Sequence, residues 1–530
     1  MDLRLLLGRV LGKPCLDPLE LAAPETRCMR LYKKTGNTIH IISFPDEEVE
    51  KGCYLLIEDK KADKSMVVQV IDVQFANVPG IMEELLREPL IDESIKGDDV
   101  DPFDITSHIL YVQDARLLVC KIHGTIENGK LSSNSSWLPS RTHSIIFRLP
   151  IEKLMEIVNA EIKYPINLGE TMENTPILID ASKLDGKLNI ITGRKGAGKS
   201  HLSKILVLGL IKYGATTVIF DLNGEYKSLG LNLNGGRNEF YNRIHVLIPG
   251  GNFKVTLAQA GLSVIMKILV HALNLPGTSA REFRHIWRFL EERNMLSLQE
   301  IGEAIRRWQC NQQVKDALFS RYYTLLHTNF FTDSINESVD FEGLLQNVER
   351  EGGGAIIIDL SNSPSIDRQI VVEYVLAKLQ DLLSQWKIRA VFLFAEEAHL
   401  YLRETYWDDI VTRMRHFGIF TTFITNQPDT IKESIYRQAD NIFLFNFVNE
   451  HDLEVISRAA KVDAETTIFI VRDLPPHHCL ILGDVVGNFP IVAKVKPLSV
   501  KAMGETRLFF QREKESLESV EQQSVSLSIG

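Results

Sequence analysis

Over the first 165 positions, apolar residues come in short clusters rich in β-branched side chains. These are LRLLLGRVLG, IHIISF, GCYLLIED, SMVVQVIDVQF, RLLVCKIHGTI and THSIIFRLP, separated by polar, Gly or Pro punctuation. Clusters of this kind predict strands, and several short strands in succession predict a small β-barrel. Between them, the acidic, turn-rich IDESIKGDDVDPFD (91–104) reads as a solvated loop.

From about residue 185 the pattern changes. KLNIITG (187–193) is an apolar strand, and 193–200 is a Gly-rich turn. HLSKILVLGLIKYG is an apolar helix that stops at Gly214, and Thr216–Phe220 is a second strand ending at Asp221. Strand, turn, helix, strand is the opening of a parallel α/β sheet. Over 258–350, VIMKILVHALNL, REFRHIWRFLEERN, LQEIGEAIRRWQ and VKDALFSRYYTLL carry apolar residues at steps of three and four, the helical period. Strands resume at 354–360, 390–397, 420–425 and 441–447, with the helical VVEYVLAKLQDLLSQW between the first two. Residues 477–498 read as a closing hairpin, and the charged, Ser-rich tail reads as frayed.

Composition limits the function classes. With 530 residues, 45% hydrophobic and 24% charged, the chain can fill two or three domains. No stretch approaches the run of about 20 apolar residues that a membrane span needs. MDLRLLLGRV is broken by Arg4 and Arg9 and lacks the long apolar region of a signal peptide. The expectation is a cytoplasmic protein with no membrane association. Six cysteines lie scattered with no C-x-x-C spacing, so neither a structural zinc nor a disulfide framework is expected. The net charge of −10 argues against coating a polyanion. It leaves open a ring whose basic residues face inward, because the local field governs contact.

The chemistry is concentrated in ITGRKGAGKS (191–200). Gly193 to Ser200 fits G-x-x-x-x-G-K-[ST] and lies between an apolar strand and an apolar helix, the context a phosphate-binding P-loop requires. Gly193, Gly196, Ala197 and Gly198 let backbone N–H groups face the phosphates. The helix entered through Lys199, Ser200 and His201 offers its positive N-terminus. Lys199 supplies charge for the β and γ phosphates, and the Ser200 hydroxyl can ligate Mg²⁺. ATP and Mg²⁺ are the expected cofactors. A carboxylate is needed on a neighbouring strand, and AVFLFAEEAHLYL provides Glu396 and Glu397 at a strand's C-terminal end, where ligands of such sheets sit. One carboxylate can serve the metal and the other can polarise water. Asp221, in DLNGEY, is open to two readings: a metal-side carboxylate, or a turn residue with Asn223-Gly224. For Glu225 a turn or subunit contact is favoured.

GRKGAGKSH, VIFDLNGEY, FLFAEEAHLYL and RMRHFGIFTTFITNQPD together resemble, in order and spacing, the HerA family of hexameric DNA translocases, in the HerA/FtsK group of P-loop ATPases. The resemblance covers roughly residues 1–500 and is tightest over these motifs. It implies a RecA-like P-loop core of α/β class with a helical insertion, plus an N-terminal small β-barrel. The expected organisation is 1–165 barrel, 166–257 and 351–500 the two parts of the ATPase core, 258–350 insertion and 501–530 flexible tail. It also implies roles. Glu397 would be the catalytic glutamate, Glu396 its metal-side neighbour and Gln427 a γ-phosphate sensor. Arg415 would be an arginine finger reaching a neighbour's nucleotide, with Arg413 as the rival. The basic residue before the P-loop strand is often Arg in that family and here is Lys187, which cannot fork onto phosphate. Lys494 falls where a family lysine approaches the nucleotide.

Other residues read more plainly. His477-His478-Cys479 is not a ligand set, because consecutive strand residues face opposite ways, and after Pro475-Pro476 the histidines read as a solvated pair. His399 is a packed or capping histidine, and the basic, aromatic helices of 258–350 are amphipathic packing. The resemblance thus implies an ATP-driven homohexameric ring on double-stranded DNA, a translocase or helicase in end resection and repair with a NurA-type nuclease as partner. The alternatives are a similar ring that activates another effector in defence, or a nucleotide-gated scaffold without DNA transport.

Overall fold

The computed structural model describes residues 29–44, 47, 49–76, 114–127, 130–132, 136–158, 162–171, 174–401, 413, 415–447, 449, 451, 452, 454, 456 and 464–501. The expected strand in LRLLLGRVLG, the acidic 91–104 loop and the tail beyond 501 lie outside them.

The N-terminal unit is an antiparallel sheet of β1 (Met29–Thr35), β2 (Thr38–Ser43), β3 (Tyr54–Asp59), β4 (Lys64–Phe75), β5 (Arg116–Glu127), β6 (Lys130–Ser132) and β7 (Ser144–Arg148). Its order is β1-β2-β5-β4-β3-β7, with β6 against β5. β1 returns beside β7 without a ladder between them, so the sheet curls into a small barrel with one open seam. Register shifts at Val67/Val68 and Val70/Asp72 interrupt the long β4–β5 pair; bulges of this kind bend and twist a strand. Ile39, Ile41, Leu55, Ile57, Val68 and Leu118 fill the interior.

The second unit is built on an 11-stranded sheet of order β12-β13-β11-β14-β15-β10-β16-β17-β18-β8-β9. Its parallel part comprises β12 (Ile244–Leu247), β13 (Gly354–Asp359), β11 (Thr216–Asp221), β14 (Val391–Glu396), β15 (Ile419–Thr425), β10 (Asn189–Thr192) and β16 (Asn441–Phe445). β17 (His478–Gly483), β18 (Ile491–Val495), β8 (Pro165–Glu170) and β9 (Pro176–Asp180) continue it antiparallel. Every residue of β11 and β13 is buried, as expected of parallel strands covered on both faces. Val218 and Phe220 face one layer and Ile219 the other.

Between β12 and β13 the chain forms the expected helices, here α3 (Leu257–Lys267), α4 (Gly277–Glu291), α5 (Leu298–Arg307), α6 (Gln312–His327) and α7 (Phe341–Arg350). They pack with α8 (Ser365–Ser384) over one sheet face, around Phe253, Trp287, Phe330, Phe341 and Tyr374. α2 (Lys199–Lys212) covers the other face. α1 (Ile151–Val158) leads from the barrel. The barrel is joined to the sheet by Tyr54, whose hydroxyl donates to the Pro490 carbonyl at 2.7 Å and whose ring meets Phe489 edge-on. The fold is therefore an α/β P-loop core with a helical insertion and an N-terminal β-barrel. Among the described residues, no helix is long and apolar enough to cross a membrane.

Two features lie outside the sequence expectation. The hairpin β8–β9 extends the sheet, although both strands begin with proline; proline is tolerated at a strand's first residue and at sheet edges. β12 is a short edge strand with only Leu247 buried.

Candidate active site

The phosphate loop follows β10 at the C-terminal edge of the sheet. A Cβ at Gly193 would stand 2.4 Å from the Cβ of Phe445, so the loop can pass there only as glycine. Gly198 adopts φ +116° and opens α2, a conformation that L side chains rarely take. Ala197 is buried, and Ser200 and His201 follow in the first turn of α2. Lys199 is buried, and its ammonium donates to the carbonyls of Gly193 at 2.7 Å and Arg194 at 3.0 Å. Burial lowers its pKa, and the Glu397, Glu396 and Glu225 carboxylates pull it back up. The lysine thus spans the loop it would fill with phosphate.

The acid pair lies two strands away. Glu396 ends β14 at 2% exposure, and neither carboxylate oxygen has a hydrogen-bond partner. The Tyr226 hydroxyl, 2.5 Å from the Ser203 hydroxyl, also faces Glu396 and tempers the rise of that carboxyl's pKa. Burial, with repulsion from Asp221 and Glu225, pushes the Glu396 carboxyl up to about 8. A buried carboxyl with so little polar company is costly, and a divalent cation is a group whose charge relieves that cost. The buried Glu396 carboxyl is thus suited to a Mg²⁺ ion, with the Ser200 hydroxyl in the first turn of α2 as the other expected ligand.

Glu397 sits at φ +44°, ψ +46°, the left-handed region. A non-glycine residue there costs of order 1–3 kcal/mol, and such strain clusters at functional sites. The turn is held by Glu397 N–H donating to Ile424 O at 2.7 Å. Its carboxylate accepts from the Thr425 hydroxyl at 3.1 Å and lies 3.7 Å from His399 Nδ1. Thr425 also accepts from the Gln427 N–H at 3.0 Å. It therefore couples Glu397 to the exposed Gln427 just beyond β15.

Several expected residues take other positions. Asp221 is fully buried, and its two oxygens accept from the Glu225 and Tyr226 N–H groups, both at 3.0 Å. Its carboxylate holds the D-x-x-G-E-Y turn, which favours the turn reading over the metal-side one. Glu225 lies 3.5 Å from the buried Lys204, an ammonium that also stands over the Tyr226 ring. Lys494 pairs with Glu170 of β8 at 2.8 Å on a half-exposed surface, as a cross-strand ion pair. Lys187 precedes β10, at the edge opposite the loop, and binds Asp484 at 2.5 Å and Asp440 at 3.5 Å. These ion pairs hold it away from the Gly193–Ser200 loop of its own chain.

Arg415 stands at that same opposite edge. It begins the single turn Arg415–Phe417 before β15 and pairs through Nη1 with Asp440 at 3.2 Å. Asp440 also accepts from the Leu188 N–H at 2.9 Å. Strand β15 spans about 20 Å between its ends, so Arg415 cannot serve the Gly193–Ser200 loop of its own chain.

Sequence reasoning missed Lys204, Tyr226, Thr425, Asp440 and His477 as site components. One signal was available: Ser203 and Lys204 interrupt the apolar positions in the first half of α2, and the structure buries both. His477 lies against the loop, its N–H donating to Ala197 O at 3.3 Å. His478 Nδ1 lies 2.9 Å from Pro476 O and Cys479 is buried and free. Among the described residues, no group of three His, Cys, Asp or Glu could hold a metal by itself.

Residues 166–379 match the family described as helicase HerA, central domain. A probable helicase of Methanocaldococcus jannaschii is 20% identical over 95% of this chain and 93% of its own. The DNA double-strand break repair helicase HerA of Sulfolobus acidocaldarius is 21% identical over 87% of this chain and 91% of its own. Among solved structures, VirB4 of Thermoanaerobacter pseudethanolicus has a TM-score of 0.45 at 15% identity, covering 64% of this chain and 98% of that one. The plasmid coupling protein TrwB with ADP and Mg²⁺ has a TM-score of 0.45 at 14% identity, covering 68% and 94%.

Proposed function

We propose that this chain, which carries a HerA central domain and resembles HerA helicases over most of its length, is an ATP-hydrolysing ring motor that moves on double-stranded DNA. The observation that carries the reading is the division of the site between two edges of one sheet. The phosphate loop, Glu396, Glu397 and Gln427 lie at one edge, and Arg415 lies at the other, held by Asp440. Each subunit therefore has a nucleotide half-site and a distant finger. The two halves meet only when copies stack head to tail, and such contacts close into rings when the rotation permits. Six subunits, and a NurA-type nuclease on the barrel side in end resection, are the finer form of this proposal.

In the mechanism, the loop's N–H groups and Lys199 hold the β and γ phosphates. Ser200 and Glu396 would hold Mg²⁺, which when bound would neutralise charge on the phosphate oxygens. Glu397, fixed in its strained turn by Thr425, accepts a proton from the attacking water. Gln427 stands beyond the same strand end and would sense the γ-phosphate there. Arg415 of the neighbouring copy adds charge to the transferring phosphoryl group. Movement along the duplex needs only sequence-independent phosphate contacts.

The test is ATPase rate against added linear duplex, for wild type, Glu397→Gln and Arg415→Ala, with native mass recorded. Stimulation by DNA, lost in both variants while the ring persists, supports the motor. A DNA-independent rate with a silent Arg415→Ala overturns it and favours a scaffold or a protein effector.

A further inference from the structure

The strand order gives the bound nucleotide a direction. β10 carries the phosphate loop; β15 and β14, with Gln427, Glu396 and Glu397, lie on one side, and β16 and β17 on the other. The hydrolysed end of the nucleotide must face the acids. The base and ribose therefore leave over the β16–β17 side.

That side is built. Asn446, just after β16, accepts from the Arg194 N–H of the loop at 3.0 Å through its backbone carbonyl. Its side-chain amide donates to the carbonyls of Arg472 at 2.8 Å and Leu474 at 3.0 Å. The segment leading into β17 is thus tied to the same loop limb. It ends at His477, whose N–H donates to Ala197 O and whose carbonyl accepts from Val495 N–H. His477 has φ +62° and an exposed side chain. Its Nδ1 lies 3.4 Å from where a Cβ on Gly198 would stand. The His201 ring, fixed 2.8 Å from Lys496 O, flanks the same turn, with its centroid 6.4 Å from that of His477. A strained, exposed imidazole pressed against a phosphate loop is the arrangement expected of a ligand contact.

We propose that His477, backed by His201, forms the wall that receives the nucleoside part of the nucleotide, so that the site distinguishes a nucleotide from bare polyphosphate. This rests on the nucleotide-binding reading above.

The test uses the full chain with Mg²⁺ and measures binding of ADP and of pyrophosphate to wild type, His477→Asn, His477→Gly and Lys199→Ala. Asparagine tolerates the left-handed conformation and glycine removes its strain, so neither variant should disturb the loop. Loss of one ring contact to a base weakens ADP about tenfold, with pyrophosphate unchanged in both His477 variants. Wild-type affinity for ADP in both would overturn the proposal. So would an equal loss of ADP and pyrophosphate, which would make His477 a support of the loop. Lys199→Ala should lose both ligands. If wild type binds neither, or Lys199→Ala binds both normally, the nucleotide reading itself fails and takes this proposal with it.

Discussion

Glu396 makes a sharp prediction about stability without ligand. Its carboxyl is buried and ionises near 8 in the folded chain, against about 4.3 for an unperturbed glutamate. The folded state therefore holds a proton that the unfolded state has released. Stability from this group is fully present below the unfolded value, falls as pH rises, and levels off above the folded value. Between the two pKa values each pH unit costs about 1.4 kcal/mol. Wild type should lose about 2 kcal/mol from this residue between pH 6 and pH 8, because the slope halves at the folded pKa. Glu396→Gln keeps the shape and cannot ionise. Its amide pays a hydrogen-bonding cost, but that cost does not change with pH. The assay is urea unfolding of wild type and variant at pH 6, 7 and 8, in EDTA without nucleotide. The difference between them should grow by about 2 kcal/mol in the variant's favour as pH rises. Mg²⁺ with ADP should flatten the wild-type slope. A difference that stays constant with pH refutes the account of Glu396.

Three further outcomes are expected. Arg415→Ala should lower kcat about a thousandfold, and Asp440→Asn, which leaves the guanidinium in place but unheld, about tenfold with KM unchanged; steady-state ATPase assays check both. Glu397→Gly and Glu397→Ala should both abolish turnover, yet the glycine variant should be about 1 kcal/mol more stable than the alanine variant because only glycine accepts φ +44° without strain; paired denaturation curves read this. Lys494→Ala breaks a half-exposed ion pair with Glu170, so it should cost under about 1 kcal/mol and leave ADP affinity, measured by titration, unchanged.

What was legible in the sequence shares a physical basis. The P-loop and the Glu396-Glu397 pair announce themselves because their chemistry needs fixed residue types at local spacing, next to apolar, largely buried strands. The helices between β12 and β13 were legible from their period. Asp440 was not, because its partners Lys187 and Leu188 are more than 250 positions away, and no local pattern marks a residue for a distant partner. His477 read as solvated because Pro475-Pro476 before it signals a loop, and only the sheet order brings that loop to the phosphate site. Lys187 and Lys494 carried a resemblance, but their ion pairs with Asp484 and Glu170 arise from strand pairing. Asp221 had two readings in the sequence, and the backbone N–H groups of Glu225 and Tyr226 favour the turn.

The central claim is that one subunit's Glu397 works with another's Arg415. Mixing Glu397→Gln with Arg415→Ala subunits under exchange conditions tests it most directly, by ATPase rate on linear duplex. Each variant alone should be inactive. In mixed rings about one interface in four joins an intact Glu397 to an intact Arg415, so activity should return to a fraction of wild type. Mixtures as inactive as their parents, with subunit exchange verified by native mass, would contradict the shared site.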